Sequence, residues 1–297
     1  MSVQIIDGKK IAEVVQQEII GRIQALKAKG ITPGLGAILV GENPASAIYV
    51  QSKTKKCHEL GLFPKTIRLP EDTSEKSLLG QIQEFNEDGR IHGILVQLPL
   101  PKQIRERIVL EAIAPEKDVD GFHPINRGRL QLGEEAFVPC TPAAIHELIR
   151  RSGFSLNGQH VVILGRSQIV GLPLALLLAQ KSQRANATVT ICHSGTQHLA
   201  AITTRADILV AAIGRANFVT AEMVRPGAVV IDVGINRVED ATSPKGYRLA
   251  GDVDFERVKA RALAITPVPG GVGPMTIVML MYNTVLAAER MAASPDS

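Results

Sequence analysis

The feature that most constrains this chain is an alternation of short, almost purely apolar runs with longer stretches whose apolar residues recur every third or fourth position. The runs are "LGAILVG", "KTIRLP" and "GILVQLPLP" in the first half, and "HVVILG", "TVTICHS", "DILVAAIG" and "AVVIDVGI" in the second. A short apolar run bounded by glycine or proline reads as a strand buried on both faces, and strands separated by one helix length pair in parallel. The chain is therefore predicted to be α/β, with parallel sheets. The alternation breaks once, at the polar, Gly- and Pro-punctuated "PEKDVDGFHPINRGRL", read as one long functional loop.

Local signals fill in the elements. Ile11, Val14, Val15, Ile19, Ile23 and Leu26 mark an amphipathic helix over 9–29, with Gly30 as its stop. "ENPAS" turns and caps the next helix, which Gly61 closes, and Asp72 or Thr73 caps "SEKSLLGQIQEFN". "CTPAAIHELIRRSG" reads as a bridging helix with Thr141 as cap, Pro142 at its first position and Gly153 past its end. Helices are expected from 171, near 196–204 and near 220, and "MTIVMLMYNTVLAAERM" forms the last one before a loose tail of about six residues. The four strands of the second half suit a doubly wound dinucleotide-type domain.

Composition excludes several classes. A chain of 297 residues with 45% apolar content can bury a large core, so disorder is not an option. The net charge of +4 is scattered, and aromatics are only 3%, which argues against a nucleic-acid surface while suiting a small anionic ligand. Cys57, Cys140 and Cys192 have no paired spacing and read as reduced thiols, Cys140 as a packing residue. The N-terminus lacks signal- or transit-peptide character, and the longest uninterrupted apolar run, "GLPLALLLA", is half a membrane span, so a soluble cytoplasmic protein is expected. His58, His92, His123 and His146 lack metal spacing, and no metal is assigned.

Two motifs carry chemistry. In "GRSQIVGLP", Gly165 allows a tight turn at a strand end, and Gly171 lets the amides and positive end of the next helix approach a pyrophosphate; an ordinary βα turn is the alternative. The following strand ends Cys192, His193, Ser194, without the carboxylate that accepts from an NAD ribose. That gap, with the Ser194 hydroxyl and the Arg166 guanidinium, favours NADP. In "IYVQSK", Tyr49 and Lys53 are four positions apart and share one helix face. An isolated YxxxK is a Tyr packed over a Lys stem; in short-chain dehydrogenases it is an acid pair, but there it follows the dinucleotide strands, whereas here it precedes them.

Together with "GILVQLPLP", "KDVDGFHP" and "TPVPGGVGPMT", these motifs make nearly the whole chain resemble the bifunctional methylenetetrahydrofolate dehydrogenase/methenyltetrahydrofolate cyclohydrolase family. The resemblance implies two α/β domains: a folate-binding one of residues 1–145 plus the C-terminal helix 275–297, and a Rossmann-type NADP domain of 146–274, as a homodimer whose domains share one cleft. It implies NADP-dependent oxidation of a methylene bridge on the folate substrate and hydrolysis of the resulting methenyl cation. Lys53, as a neutral amine, is then the base, Gln97 holds it or orients water, and Tyr49 lines the pocket. Asp120 accepts from the two-donor edge of the pterin, a role that spacing alone does not distinguish from Asp118. Val96, Leu98, Pro267, Gly270 and Gly271 line the folate site, and Gly165, Arg166, Ser167, Gly171, Ser194 and Ile235 the cofactor site. "PVPGGVGP" suits a rigid backbone wall that can include a cis-proline, or a hinge between the second domain and the last helix; both can hold at once. The rival readings are an NADP-dependent dehydrogenase of another small substrate and a non-catalytic nucleotide sensor.

Overall fold

The computed structural model describes residues 3–243 and 246–293; the final residues of the expected loose tail lie outside them. The chain divides into two compact units, one of Val14–Cys140 with Ile277–Ser297, the other of Met1–Glu13 with Thr141–Thr276. A two-residue strand β1 (Gln4–Ile5) opens the chain and precedes α1 (Gly8–Lys27), which ends where Gly30 takes a φ of 78°.

The unit of Val14–Cys140 is built on a three-stranded parallel sheet of β2 (Gly34–Val40), β3 (Phe63–Leu69) and β4 (Gly93–Val96), ordered β3-β2-β4. All seven residues of β2 are buried, as an uninterrupted apolar run between two partner strands requires. Between the strands run α2 (Pro44–Leu60) and α3 (Glu75–Glu87). On one side Leu78, Ile82 and Phe85 of α3 lock against Ile38, Ile94 and Val96. Each of these fully buried side chains contributes about 1.5–3 kcal/mol.

Three local readings are corrected. The cap of α3 is Ser74, whose side chain accepts from Ser77 N–H, while the Thr73 hydroxyl is turned back onto the Pro70 carbonyl. The stretch after 115 is not one long loop. It follows α4 (Glu106–Ala112) and contains α5 (Pro124–Leu132), whose start is set by Pro124 and a hydrogen bond from Ile125 N–H to His123 Nδ1, and whose end is Gly133 in the left-handed conformation. The Pro and Gly that suggested a loop are this helix's terminal signals. Finally, α6 (Cys140–Arg151) starts at Cys140, so Thr141 lies inside its first turn rather than capping it.

The other unit carries a six-stranded, all-parallel sheet ordered β1-β11-β8-β7-β5-β6, made with β5 (His160–Leu164), β6 (Thr188–Cys192), β7 (Ile208–Ala211), β8 (Val229–Asp232) and β11 (Ala264–Ile265). The four expected strands, β8, β7, β5 and β6, stand side by side and include one edge of the sheet. The added pair, β1 and β11, have two residues each and are too short to show a period. Helices α7 (Gly171–Ala179), α8 (Leu199–Thr203) and α9 (Phe255–Lys259) alternate with the strands. The helix expected near 220 is a single 3₁₀ turn, Ala221–Met223, and an antiparallel hairpin of β9 (Asn236–Glu239) and β10 (Tyr247–Ala250) was not anticipated. The chain leaves β5 for the edge strand β6 and returns to β7 on the opposite side of β5, which makes the carboxyl ends of β5 and β7 a topological switch point, where doubly wound sheets bind ligands.

The chain closes with α10 (Val272–Ala293), a helix long and apolar enough to cross a membrane, with a mean hydropathy of 1.2 over its best window. Asn283, Thr284, Glu289 and Arg290 interrupt it, so its length is reached without one continuous apolar run. Most of that window is buried within the protein. Its later residues return to the Val14–Cys140 unit: Met281 Sδ lies 3.4 Å from Cys57 Sγ, and Glu289 receives both the Nε and a terminal nitrogen of Arg22 at 2.8 and 2.6 Å.

Candidate active site

In the Val14–Cys140 unit the chemistry gathers where α2, the end of β4 and the "DVDG" turn meet. Asn43 Oδ1 caps α2 by accepting from Ser46 N–H, which starts the helix so that Tyr49 and Lys53 stand one turn apart on one face. Tyr49 is 43% exposed and Lys53 is half-buried. Lys53 Nζ donates to Gln97 Oε1 at 3.0 Å. The orientation of that amide is fixed, because Gln97 Nε2 donates to the Leu98 carbonyl at 2.8 Å and Gln97 N–H to the Ile38 carbonyl at 2.9 Å. Val96 is buried as the last residue of β4, and Leu98 precedes a cis peptide to Pro99.

The two aspartates of "DVDG" are distinguished by what they hold. Asp118 is buried, accepting from Phe122 N–H at 3.1 Å, His123 N–H at 2.9 Å and Asn126 Nδ2 at 2.9 Å, and so ties the turn to the start of α5. Asp120 is electrostatically coupled to Lys53, and Cys140 Sγ lies 3.7 Å from its Oδ1. Burial pushes the Asp120 carboxyl above its ordinary range, with Lys53 and the Cys140 thiol opposing. Lys117, just before the turn, donates to the carbonyls of Phe85, Asn86 and Asp88 at 3.1, 2.8 and 3.1 Å, closing the end of α3. Asn283 of α10 donates to the carbonyls of Val119 and Val138 at 2.8 and 3.0 Å. Cys140 is a packing residue that also touches Asp120, and Asn283 lies more than 160 positions from the turn it holds, with no sequence signal to mark it.

Burial raises the Asp118 carboxyl to about 7, outweighing the Asn126, His123 and Phe122 donors that favour its charged form, and Asp120 adds repulsion. An unfolded Asp releases its proton near ~3.9. Between these values the native state binds more protons than the unfolded one, so this group's contribution to stability falls as pH rises from about 4 to about 7 and is level above that. Asp118→Asn cannot titrate. Its thermal midpoint is expected to decline less steeply than the parent's between pH 4.5 and 7 in thermal scans, and parallel declines would contradict the assignment.

In the other unit, Gly165 and Gly171 form the turn after β5. Gly165 has a φ of 114°, and a Cβ on it would stand 2.2 Å from the Ala212 carbonyl oxygen; a Cβ on Gly171 would stand 2.1 Å from the Gly165 carbonyl oxygen. The backbone is packed there as closely as glycine permits, at the switch point between β5 and β7. Ser167 Oγ accepts from Val170 N–H at 3.1 Å and Gly171 N–H at 3.4 Å, holding the start of α7. Leu164 pairs with Cys192 in register, so Arg166 and Ser194 follow two residues beyond paired positions, and both are exposed. No carboxylate stands in the 193–206 segment after β6. Ile235, Pro267, Gly270 and Gly271 line one hollow of about 150 Å³ with Lys9 and Asp232, and Val268–Pro269 is cis. Among the described residues, no group of three or more His, Cys, Asp or Glu side chains is placed to hold a metal ion.

Such a pair of units, one with a doubly wound sheet and a glycine-tight turn at its switch point, the other with a half-buried Lys–Gln–Asp group, defines a two-domain dinucleotide-dependent enzyme. Residues 6–120 match the catalytic-domain model, and residues 139–292 the NAD(P)-binding-domain model, of tetrahydrofolate dehydrogenase/cyclohydrolase. The "Bifunctional protein FolD" of Dehalococcoides mccartyi is 57% identical over 294 residues, covering 98% of this chain and 99% of that protein. The crystal structure of the bifunctional FolD methylenetetrahydrofolate dehydrogenase/cyclohydrolase of Campylobacter jejuni superposes with a TM-score of 0.92 at 45% identity, covering 98% of this chain and 100% of the other. That of the Trypanosoma brucei enzyme, complexed with NADP cofactor and an inhibitor, has a TM-score of 0.93 at 40% identity, covering 99% and 100%. The chain belongs to the tetrahydrofolate dehydrogenase/cyclohydrolase family.

Proposed function

We propose that this chain oxidises 5,10-methylenetetrahydrofolate to the 5,10-methenyl cation with NADP and hydrolyses that cation to 10-formyltetrahydrofolate. The observation that carries the reading is the 3.0 Å contact of Lys53 Nζ with a Gln97 amide whose own orientation is fixed, beside Asp120. In the first half-reaction the methylene carbon gives up a hydride, and the two flanking folate nitrogens stabilise the cation left behind, so alignment matters more than acid or base. NADP, when bound, supplies the hydride acceptor. Gly165, Ser167 and Gly171 would hold its pyrophosphate, Arg166 and Ser194 its 2′-phosphate. In the second half-reaction water adds to the cationic carbon and loses a proton; the carbon's bond to N5 then breaks, the proton of the new hydroxyl passes to N5, and the formyl group stays on N10. Lys53 removes the proton that the water loses, with Gln97 holding its nitrogen and Tyr49 flanking the folate. Asp120 accepts from the pterin's ring N–H and exocyclic amine; Val96, Leu98, Pro267, Gly270 and Gly271 complete the folate contacts and Ile235 those of the cofactor.

The test is NADPH absorbance in the presence of methylenetetrahydrofolate, followed by loss of the methenyl absorbance. Absorbance that rises only with a different reduced substrate would favour the general dehydrogenase reading; none at all, with NADP still bound, would favour a nucleotide sensor. Asp120→Ala removes two hydrogen bonds to a charged acceptor, worth about 1.5–3 kcal/mol each, and should raise the folate KM by at least about 100-fold while the Kd for NADP stays put. A homodimer in the cytoplasm, with no nucleic-acid or membrane partner, completes the proposal; it is supported by the family, the scattered charge and the three free, buried cysteines.

A further inference from the structure

The dinucleotide unit holds a carboxylate cluster that none of the motifs above accounts for. Asp252 is fully buried, and its two oxygens meet four donors. Oδ2 accepts from the backbone N–H groups of Ile213 at 2.7 Å and Gly214 at 3.0 Å, and Oδ1 from Arg215 N–H at 2.9 Å and Asn236 Nδ2 at 2.9 Å. Three of these donors are consecutive amides of one turn, the turn that directly follows β7. Four hydrogen bonds on one buried carboxyl group fix geometry tightly, because each lone-pair direction has its own donor.

Asp252 is itself held from below. Asp232, the last residue of β8, accepts from Asp252 N–H at 2.8 Å, Val253 N–H at 3.0 Å and Gly234 N–H at 3.0 Å, and Asp232 N–H donates to Thr266 Oγ1 at 2.7 Å. The fit is close: a Cβ on Gly234 would stand 2.3 Å from Asp252 Oδ1. The bonds therefore run from β8 through Asp232 and Asp252 to residues 213–215. The residue before that turn is Ala212, whose carbonyl oxygen is the atom against which Gly165 is packed. The cluster thus sets the backbone on which the turn after β5 rests.

We propose that Asp252 is a positioning residue for dinucleotide binding: through the amides of Ile213, Gly214 and Arg215 it fixes the carboxyl end of β7 at the height the Gly165 turn needs to receive a pyrophosphate. This rests on reading the unit as an NADP site. Asp252→Asn keeps the shape but replaces an acceptor oxygen with an NH₂ group, which then faces N–H donors on either oxygen's side. In the full-length protein the Kd and KM for NADP should both rise at least about tenfold, with kcat at saturating NADP within about threefold of the parent. Asn236→Ala removes one donor of the four without touching the backbone, and should raise the Kd about two- to fivefold; it decides the matter if Asp252→Asn does not fold. A purely structural role would lower the thermal midpoint and leave KM and Kd alone, and that result, or a parental NADP Kd in Asn236→Ala, overturns the proposal. Failure of the parent to bind NADP at all would instead overturn the cofactor reading, and this proposal with it.

Discussion

Lys53→Met should lower the rate of methenyltetrahydrofolate hydrolysis by about 10²–10⁴-fold, the usual contribution of a positioned general acid or base. Methionine matches the length of the lysine stem, so packing on α2 is retained while the nitrogen that meets Gln97 Oε1 at 3.0 Å is lost. Hydrolysis needs a group to take water's proton, whereas hydride transfer needs only alignment. The Kd for NADP, bound by a different unit of the chain, should therefore be unchanged, and oxidation followed by NADPH absorbance should suffer much less than hydrolysis. Equal loss of oxidation and hydrolysis would point to the rival dehydrogenase, in which the Tyr49–Lys53 pair serves the hydride step. Hydrolysis that continues at the parental rate would remove Lys53 from the mechanism altogether.

Gly165→Ala is expected to abolish useful NADP affinity. The residue sits at a φ of 114°, where a non-glycine backbone costs about 1–3 kcal/mol. Its added methyl would also fall 2.2 Å from the Ala212 carbonyl oxygen, a backbone atom with no rotamer to escape through. Either the turn or the end of β7 must move. At about 1.4 kcal/mol per tenfold, a total near ~3 kcal/mol at the site weakens NADP binding by more than about 100-fold. Titration calorimetry with NADP would measure it directly. A Kd within a few-fold of the parent would mean that the turn does not carry the pyrophosphate.

Much of this architecture could be read from periodicity. The apolar runs at 34–40, 93–96, 160–164 and 229–232 became buried parallel strands because each is too apolar and too short to be anything else inside a packed sheet. The glycines at 30, 61 and 153 end helices with positive φ, as read. Local signals misled where two structures use the same residues. His123, Pro124 and Gly133 could be loop residues or the two ends of a helix, and only the Asp118 carboxylate, which binds the amides of 122 and 123, decides for α5.

What the sequence determined by itself is the α/β class, the order of the strands along the chain, the glycine-tight turn after β5 and the Tyr49–Lys53 spacing, since all of these follow from near-neighbour sterics and burial. Only the tertiary structure chose which aspartate of "DVDG" faces Lys53, added β1 and β11 to the second sheet, and set Asp252 beneath the amides of 213–215. Those choices depend on which distant backbone groups a buried carboxylate or a two-residue strand finds as partners, and no local pattern in the chain records that.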